Sequence, residues 1–184
     1  MNRSFALFLD RDGVINRRLP GDYVRHPAAL VFEDRALPAL RILSGLFHPI
    51  AVLTNQAGIN KGLMTSGDVD AVHRKMVAEV TRFGGRIDGV YYCPHRPEEG
   101  CNCRKPAAGM AYQAQRDFPQ IVFACAWMVG DSLSDMQLGA TLGMRTALIA
   151  GKEEEAAALS AFPVTGRFGS LWEFAQYCQA VFSQ

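Results

Sequence analysis

The sequence FALFL at residues 5–9 is followed directly by DRDG at residues 10–13, and this order decides the fold. A short, continuous apolar run bounded by polar residues is typical of a strand buried in a parallel sheet. Because side chains alternate along a strand, Asp10 and Asp12 should project from the same face at its carboxyl end. Carboxylates that close repel each other unless a cation lies near them, and Mg²⁺ is the simplest hard cation for oxygen ligands. Taken alone, the stretch fits a polar turn equally well, since Asp and Gly are common turn residues.

Length and composition favour one globular domain. The 184 residues are 49% hydrophobic and carry a formal net charge of +1, which suits a single domain over residues 1–184 and argues against a strongly basic nucleic-acid binder. We see no signal segment and no apolar run long enough to cross a bilayer. Five cysteines, with three close together, favour a reducing compartment and a metal site over disulfides. We therefore expect a cytoplasmic monomer without nucleic-acid or membrane partners.

Strand-like and helix-like segments alternate along the chain. The predicted strands cover residues 5–9, 50–53, 87–92, 126–129 and 146–150, with a short strand near Val164, and the predicted helices cover residues 36–47, 66–83, 110–118, 133–142, 153–161 and 170–182. The helix over 66–83 has an apolar stripe at Val69, Val72, Met76, Val80 and Phe83. This pattern predicts an α/β fold with a parallel sheet and helices on both faces. Ligands of such sheets bind beyond the carboxyl ends of the strands, so the polar residues there should form one site.

Polar residues that suit a bound phosphate follow the second predicted strand and precede the third predicted helix. Thr54, Asn55 and Gln56 offer hydroxyl and amide groups, and a flexible glycine follows them. Arg104 and Lys105 bring positive charge to the start of a helix. Each piece has an ordinary alternative, a polar turn for the first and solvated surface charge for the second. Their occurrence together favours the functional interpretation.

A further acidic segment, GDSLSD at residues 130–135, follows the fourth predicted strand. Asp131 lies at the strand end and supplies another carboxylate for a cation site. Asp135 lies four residues further on, where the dipole of the following helix also favours an acid. We therefore predict that Asp131 is a ligand and that Asp135 has a supporting role.

Four segments together resemble the motifs of the haloacid dehalogenase superfamily. They are DRDG at 10–13, LTN at 53–55, RKP at 104–106 and GDSLSD at 130–135, and they extend over most of the chain. The resemblance implies a Rossmann-like fold and Mg²⁺-dependent phosphoryl transfer. The second acid of DRDG, Asp12, is typical of the phosphatases in the superfamily and is not expected in a dehalogenase.

The chemistry of these residue types agrees with that implication. Asp10 would attack phosphorus and form an aspartyl-phosphate, and Asp12 would act as general acid and then general base. Thr54 and Lys105 would hold the phosphoryl oxygens where negative charge collects. Mg²⁺ would be held by Asp10, Asp131 and the backbone carbonyl of Asp12.

Residues 93–103 contain the ligands of a structural zinc site. Three thiols and one imidazole make a complete tetrahedral set, namely Cys93, His95, Cys101 and Cys103. The loop runs directly into residues 104–105, so zinc would position the phosphate-binding cations. The alternative is a group of free thiols with a surface histidine. The remaining cysteines and histidines are expected in ordinary core or surface positions, and these are Cys125, Cys178, His26, His48 and His73.

The zinc loop and the short connections, which leave no room for a large cap domain, narrow the resemblance to the heptose bisphosphate phosphatase family. The supporting segments are DRDGVIN at 10–16, DYVRHPAALVF at 22–32, TNQAGINKG at 54–62, CPH at 93–95 and CNCRKP at 101–106. The resemblance implies removal of the C7 phosphate of D-glycero-D-manno-heptose 1,7-bisphosphate, in the synthesis of nucleotide-activated heptose for surface glycans such as lipopolysaccharide. The residues expected to contact substrate are Arg11, Asn16, Asn55, Gln56, Lys61 and Arg104.

This chain departs from the family pattern near the expected substrate. It has an added residue at Asp22, Lys61 where arginine is common, and two further cations at Arg17 and Arg18. Three other functions stay open at this point. One is a histidinol-phosphate phosphatase, which has a similar zinc loop. The others are a catalytically idle, zinc-stabilised module that binds phosphorylated ligands, and a nucleic-acid 3′-phosphatase, which the balanced charge opposes.

Overall fold

The computed structural model describes residues 5–150 and 153–182. The strands are β1 (Phe5–Leu9), β2 (Phe47–Asn55), β3 (Gly89–Cys93), β4 (Trp127–Gly130), β5 (Arg145–Ile149) and β6 (Gly166–Phe168). The α-helices are α1 (Ala36–Leu46), α2 (Ser66–Arg82), α3 (Gly109–Asp117), α4 (Leu133–Thr141), α5 (Ala156–Ala161) and α6 (Leu171–Phe182). In the described residues the strands form one parallel sheet in the order β3-β2-β1-β4-β5-β6. The predicted α/β fold is confirmed.

The central strand β1 is apolar throughout because helices cover both faces of the sheet. Leu7 and Leu9 pack in one core cluster with residues of α1, α2 and α6. Ala6 and Phe8 point the other way and pack with residues of α3 and α4. Burying apolar surface on both sides contributes roughly 25 cal/mol per Å². The strand that carries the DRDG segment is therefore held between two packed layers.

Local sequence signals account for both ends of α2. Thr65 caps α2 and accepts a hydrogen bond from the backbone N–H of Asp68, whose carboxylate in turn accepts from the Thr65 N–H. The prediction that Phe83 belongs to the buried stripe of this helix is wrong, because the helix ends at Arg82 and the residue is 45% exposed. Gly84 then reverses the chain at a φ of +83°, a conformation that favours glycine.

Other predicted boundaries differ by a few residues. The second strand begins at Phe47, directly after α1, rather than at Ile50, and the last strand covers 166–168 rather than the region of Val164. Residues 153–155 form a 3₁₀ turn, so α5 is shorter than predicted. No helix within 5–150 and 153–182 combines the length and the apolarity that a membrane crossing needs. The single domain over residues 1–184 stays a prediction.

The topology brings the predicted site residues to one edge. Strand β1 pairs with β2 on one side and β4 on the other, so the carboxyl ends of these three strands are adjacent. Successive connections from β1 lead to opposite sides of the sheet, which leaves a crevice at this point. Asp10, Thr54 and Asp131 each lie at or directly after one of these strand ends.

Candidate active site

A cavity of about 510 Å³ lies at the carboxyl ends of the central strands. The predicted site residues that line it are Asp10, Asp12, Thr54, Asn55, Lys61, Arg104 and Lys105. It is also lined by side chains from the loop after β1 and the start of α4, among them Arg18, Tyr23, Ser132 and Ser134. Residues far apart in the sequence are thus brought together around one polar cavity.

Lys105 is the buried cation at the floor of this cavity. Its Nζ donates to Asp10 Oδ1 at 2.7 Å and to the carbonyl oxygen of Leu53 at 2.7 Å, and it lies 2.6 Å from Asp135 Oδ1. Burial alone would lower the pKa of Lys105, but the charges of Asp10 and Asp135 outweigh it and raise the pKa above its usual value. The lysine is therefore a fixed positive charge beside the carboxylate predicted to be the nucleophile.

Two buried carboxylates, Asp10 and Asp135, pair with this lysine, and a third, Asp131, lies close to both. The side chains of Asp10, Asp131 and Asp135 each offer an oxygen within 4.8 Å of the others. Burial raises the pKa of Asp10 to about 6; Asp135 and Asp12 act in the same direction, and Lys105 opposes them. Lys105 and Arg18, whose Nε lies 4.0 Å from Asp131 Oδ2, do not balance the three carboxylates. The cluster therefore fits an additional hard cation, which would favour the ionised form of Asp10.

Asp135 has a larger part in this site than the sequence indicated. It is fully buried and pairs with Lys105. It also caps α4, where its carboxylate accepts from the backbone N–H of Ser132 at 3.1 Å. The predicted role at a helix N-terminus is present, and the ion pair is an addition that spacing alone did not reveal.

Gly13 allows the first and fourth strand ends to approach closely. A Cβ at this position would lie 2.3 Å from Asp131 Oδ2, and the residue has a φ of +92°. Only glycine satisfies both conditions without a shift of the backbone or of the carboxylate. The glycine of DRDG therefore determines where the Asp131 carboxylate lies.

We expect Gly13→Ala to weaken Mg²⁺ binding by roughly tenfold or more, because an added methyl group would displace Asp131 from an oxygen-ligand site with a fixed geometry. The control is Gly143→Ala, which shares a positive φ of +68° but has nothing within 4 Å of the added Cβ. Both variants should lose about 1–2 kcal/mol of stability from the left-handed conformation. Titration calorimetry with Mg²⁺ checks the difference, and equal Mg²⁺ affinities would contradict this account of Gly13.

Asp12 is held by donors from three sides. Arg11 Nη2 donates to Oδ1 at 2.9 Å, Asn16 Nδ2 donates to Oδ1 at 2.9 Å, and Gln56 Nε2 donates to Oδ2 at 2.8 Å. Burial acts to raise the pKa of Asp12, but the charge of Arg11 and these hydrogen bonds lower it overall. The cation that neutralises the Asp12 side chain is thus Arg11, rather than a metal shared between the two DRDG carboxylates.

Three residues predicted to contact substrate lie behind the cavity instead of lining it. Arg11, Asn16 and Gln56 are each 0% exposed, and their side chains hold Asp12. With their side chains directed at Asp12, they have no surface exposed to the cavity here, and their direct contact with substrate stays a prediction. They form the packed layer behind the site.

Thr54 and Asn55 lie at the end of β2 and also line the cavity. Thr54 Oγ1 accepts a hydrogen bond from Gln56 Nε2 at 2.8 Å, which directs the hydroxyl proton elsewhere. Asn55 exchanges hydrogen bonds with the backbone of Lys105: its Nδ2 donates to the carbonyl oxygen at 3.2 Å, and its Oδ1 accepts from the N–H at 3.0 Å. This pair of bonds fixes the lysine peptide against the second strand.

The cysteine–histidine cluster lies beside the cavity. Its donor atoms belong to Cys93, His95, Cys101 and Cys103, and they all lie within 4.8 Å of one another. Neighbouring donors are separated by 3.1 to 3.5 Å, as in the pair Cys103 Sγ–Cys93 Sγ and the pair Cys93 Sγ–Cys101 Sγ. The arrangement could hold one metal ion. Burial opposes ionisation of Cys101, but hydrogen bonds, foremost from the Arg104 N–H, lower the pKa of its thiol to about 7.

Positive side chains lie around the mouth of the cavity. Arg104 Nη1 donates to the carbonyl oxygen of His95 at 3.2 Å, so the cysteine–histidine loop holds this arginine directly. Lys61 lies 5.4 Å from the ring centroid of Tyr23, an approach typical of a cation–π contact. Arg18 pairs with Glu154 at 2.6 Å. These side chains place positive charge around the entrance of an otherwise acidic site.

Comparison with known proteins agrees with the geometry. The sequence model of a HAD-hydrolase-like family matches residues 102–171. A D-glycero-α-D-manno-heptose-1,7-bisphosphate 7-phosphatase from Mycobacterium bovis is 39% identical over 171 residues, which cover 93% of this chain and 90% of that protein. The chain belongs to the heptose bisphosphate phosphatase family. The predicted resemblance is confirmed, and the chain is a phosphoric monoester hydrolase of the haloacid dehalogenase superfamily.

Members of the heptose bisphosphate phosphatase family named for both anomers are similar to this chain. A D-glycero-β-D-manno-heptose-1,7-bisphosphate 7-phosphatase from Salmonella typhi is 38% identical and covers 78% of this chain and 79% of its own length. The crystal structure of a D,D-heptose 1,7-bisphosphate phosphatase from B. bronchiseptica, complexed with magnesium and phosphate, superposes with a TM-score of 0.86 at 31% identity. The alignment covers 98% of this chain and 99% of that one.

Two contributors to the site were not predicted from the sequence. One is the ion pair of Asp135 with Lys105, for which the acid at the end of GDSLSD was the available signal. The other is His73, which is 6% exposed and lies 3.0 Å from Arg11 Nη1 through its Nε2. Its position four residues after Val69, on the buried stripe of α2, was the signal that it points inward.

Proposed function

We propose that the protein removes the C7 phosphate of D-glycero-D-manno-heptose 1,7-bisphosphate through an aspartyl-phosphate intermediate, as a step in nucleotide-activated heptose biosynthesis. The observation that carries this proposal is the buried set of Asp10, Lys105 and Asp131 beside Asp12, at the floor of a cavity with Arg104 and Lys61 at its mouth. The similarity to phosphatases named for this substrate supports the choice of sugar.

The proposed reaction uses two acids in turn. Asp10 attacks phosphorus while Asp12 gives a proton to the departing C7 oxygen, so the alcohol leaves neutral. Asp12 then takes a proton from water, which attacks the phosphorus of the aspartyl-phosphate and restores the Asp10 carboxylate. The low pKa of Asp12 in the free protein rises when a phosphate dianion enters beside it, because like charge favours the neutral acid.

The cluster of buried aspartates suits Mg²⁺ by its chemistry. Asp10 and Asp131 would supply hard oxygen ligands together with the backbone carbonyl of Asp12, and the three carboxylates outnumber the cations paired with them, Lys105 and Arg18, which leaves negative charge for a divalent cation. When bound there, Mg²⁺ offsets the repulsion between the carboxylates and the phosphate and polarises phosphorus. Lys105 and Thr54 line the same floor and would hold the phosphoryl oxygens.

Arg104, with Lys61, is proposed to bind the phosphate that stays on the sugar. We expect Arg104→Ala to raise KM for the bisphosphate by roughly 10- to 100-fold with little change in kcat, the loss typical of a charge-assisted hydrogen bond of about 1.5–3 kcal/mol. KM for p-nitrophenyl phosphate, which has no second phosphate, should change much less. Steady-state kinetics on both substrates checks this, with zinc content measured because Arg104 also touches the metal loop. Equal changes in KM on the two substrates would exclude this role.

The cysteine–histidine cluster is proposed to hold a structural zinc ion. Four soft or borderline donors in one cluster suit Zn²⁺, and a complete set leaves no open position for catalysis. The backbone between Cys93 and Cys103 has little to bury on its own, so the ion would order the loop that carries Arg104 and Lys105.

Removal of this zinc should therefore loosen the loop and lower activity. We expect metal analysis to find one zinc per chain, and a zinc-selective chelator to lower the thermal midpoint by several degrees and raise KM. Cys125→Ser, outside the cluster, is the control and should keep its zinc. Purified protein that contains no zinc and is indifferent to the chelator would refute the site.

Phosphate release on a panel of substrates tests the proposed function. The panel contains both anomers of the heptose bisphosphate and histidinol phosphate, each with Mg²⁺ and with EDTA. We expect Mg²⁺-dependent release from a heptose bisphosphate with kcat/KM at least tenfold above that for histidinol phosphate. Preference for histidinol phosphate would replace the substrate, and no turnover of any of these phosphates would favour a binding module. The cytoplasmic location and the monomeric state remain proposals from the sequence.

A further inference from the structure

We propose that His73 is a positioning residue for the phosphatase reaction, because it holds Arg11 against the Asp12 carboxylate. The proposal rests on the proposed function, in which Asp12 exchanges protons with the leaving group and with water. His73 lies on α2, outside every motif used above, and its side chain does not reach the active-site cavity.

The first step is the contact between His73 and Arg11. Arg11 Nη1 lies 3.0 Å from His73 Nε2, and both residues are buried. A guanidinium can only donate, so Nε2 must be the unprotonated nitrogen and the imidazole must be neutral. Burial and the charge of Arg11 keep the pKa of His73 at about 3, which agrees with this assignment. The imidazole is therefore an acceptor at a fixed place.

The second contact joins Arg11 to Asp12. The other terminal nitrogen of the same guanidinium, Nη2, lies 2.9 Å from both Asp12 Oδ1 and Asp12 Oδ2. The guanidinium is planar and rigid, so fixing Nη1 on His73 also fixes the direction of Nη2. Asn16 and Gln56 complete the set of donors, and the Asp12 side chain remains 24% exposed toward the cavity.

The surroundings of His73 indicate that the contact with Arg11 is its main polar contact on the side that faces the core. The imidazole packs against the ring of Tyr92 at 5.7 Å between centroids, and its outer edge borders a second cavity of about 480 Å³ on the surface of α2 and β3. An apolar residue would fill this position on the helix stripe equally well. A leucine there would leave a buried guanidinium nitrogen without its acceptor, which is costly and would let Arg11 shift.

The test uses the leaving group, because a general acid is needed for an alkoxide and hardly for p-nitrophenolate. We expect His73→Leu and His73→Asn to lower kcat/KM for heptose bisphosphate by roughly 10- to 100-fold, part of the ~10²–10⁴-fold that a general acid supplies. The kcat/KM for p-nitrophenyl phosphate should stay within roughly threefold of the wild-type value. This constant reports the reaction up to departure of the leaving group, and p-nitrophenolate departs without a proton from Asp12. His73→Gln, whose amide oxygen can take the place of Nε2, should restore both values, and the exposed His48→Leu is the control.

Each outcome decides the question. Equal losses on the two substrates in His73→Leu and His73→Asn mean a merely structural role and overturn the proposal, as does failure of His73→Gln to restore activity in a folded protein. If His73→Leu does not fold, the pair His73→Asn and His73→Gln carries the same comparison. A wild-type enzyme that hydrolyses histidinol phosphate and not heptose bisphosphate changes the proposed substrate only, and the ratio is then measured on histidinol phosphate. A wild-type enzyme inactive on every phosphomonoester overturns both proposals.

Discussion

Asp10→Asn is expected to abolish phosphate release, with a loss of at least about 10⁴-fold in kcat, because an amide cannot attack phosphorus and form an acyl phosphate. The asparagine has nearly the same shape, and Lys105 keeps its ion pair with Asp135 in the variant. The fold should therefore persist, while Mg²⁺ affinity falls because one carboxylate ligand is gone. Phosphate release, circular dichroism and Mg²⁺ titration on the same preparation measure the three effects.

A matched control separates loss of the nucleophile from loss of any acid. Asp34→Asn changes an exposed aspartate just before α1 and should leave kcat unchanged. If Asp10→Asn kept more than about one hundredth of the wild-type kcat, attack by Asp10 would no longer be tenable, since nucleophile replacement typically costs far more. The carboxylate would then be only a metal ligand.

Lys105→Met is expected to be the most destabilising of the substitutions considered and to inactivate the enzyme. It leaves Asp10 and Asp135 buried beside each other without the cation that pairs with both. Breaking a buried ion pair by removing one partner typically costs about 3–5 kcal/mol. We expect a fall of that size in the free energy of unfolding, measured by urea denaturation in EDTA. Activity should fall with it, since the phosphoryl oxygens lose their fixed positive charge.

Added Mg²⁺ provides a second measure of the stability lost in Lys105→Met. Because Mg²⁺ would bring positive charge to the unpaired carboxylates, it should stabilise Lys105→Met more than it stabilises the wild type. Lys61→Met, at an exposed lysine, should change the free energy of unfolding by no more than about 0.5 kcal/mol. If Lys105→Met had the same urea midpoint of unfolding as the wild type, the stability of the buried carboxylates would not depend on the lysine.

Much of the fold and site follows from patterns that are local in the sequence. The first strand ends at Leu9 as predicted, because FALFL is apolar at every position and is followed at once by charged residues. The cysteine–histidine cluster was predictable because all its donors lie within one short loop, where spacing fixes which side chains can meet. The site as a whole was predictable because the strand ends of a parallel sheet share one edge.

The remainder depends on side-chain direction, which sequence spacing does not define. Arg11 sits between two site acids and could point to the cavity or to the core; packing sends it inward, where His73 and Asp12 pair with it. Asn16 and Gln56 are directed the same way, a placement that the sequence did not indicate. The prediction for Asp135 was incomplete, because a helix-capping acid and an ion-pair partner have the same sequence signature.

Direct detection of the phosphorylated residue tests the central claim. Asp12→Asn enzyme is mixed with Mg²⁺ and p-nitrophenyl phosphate, quenched in acid, reduced with borohydride and digested for mass spectrometry. The good leaving group departs without a general acid, whereas hydrolysis of the intermediate lacks its general base, so the acyl phosphate should accumulate. We predict that Asp10 is converted to homoserine in an amount that matches a burst of p-nitrophenolate, and that Asp10→Asn in the same background gives neither. A burst with Asp10 unmodified, or modification at another residue, would contradict the account.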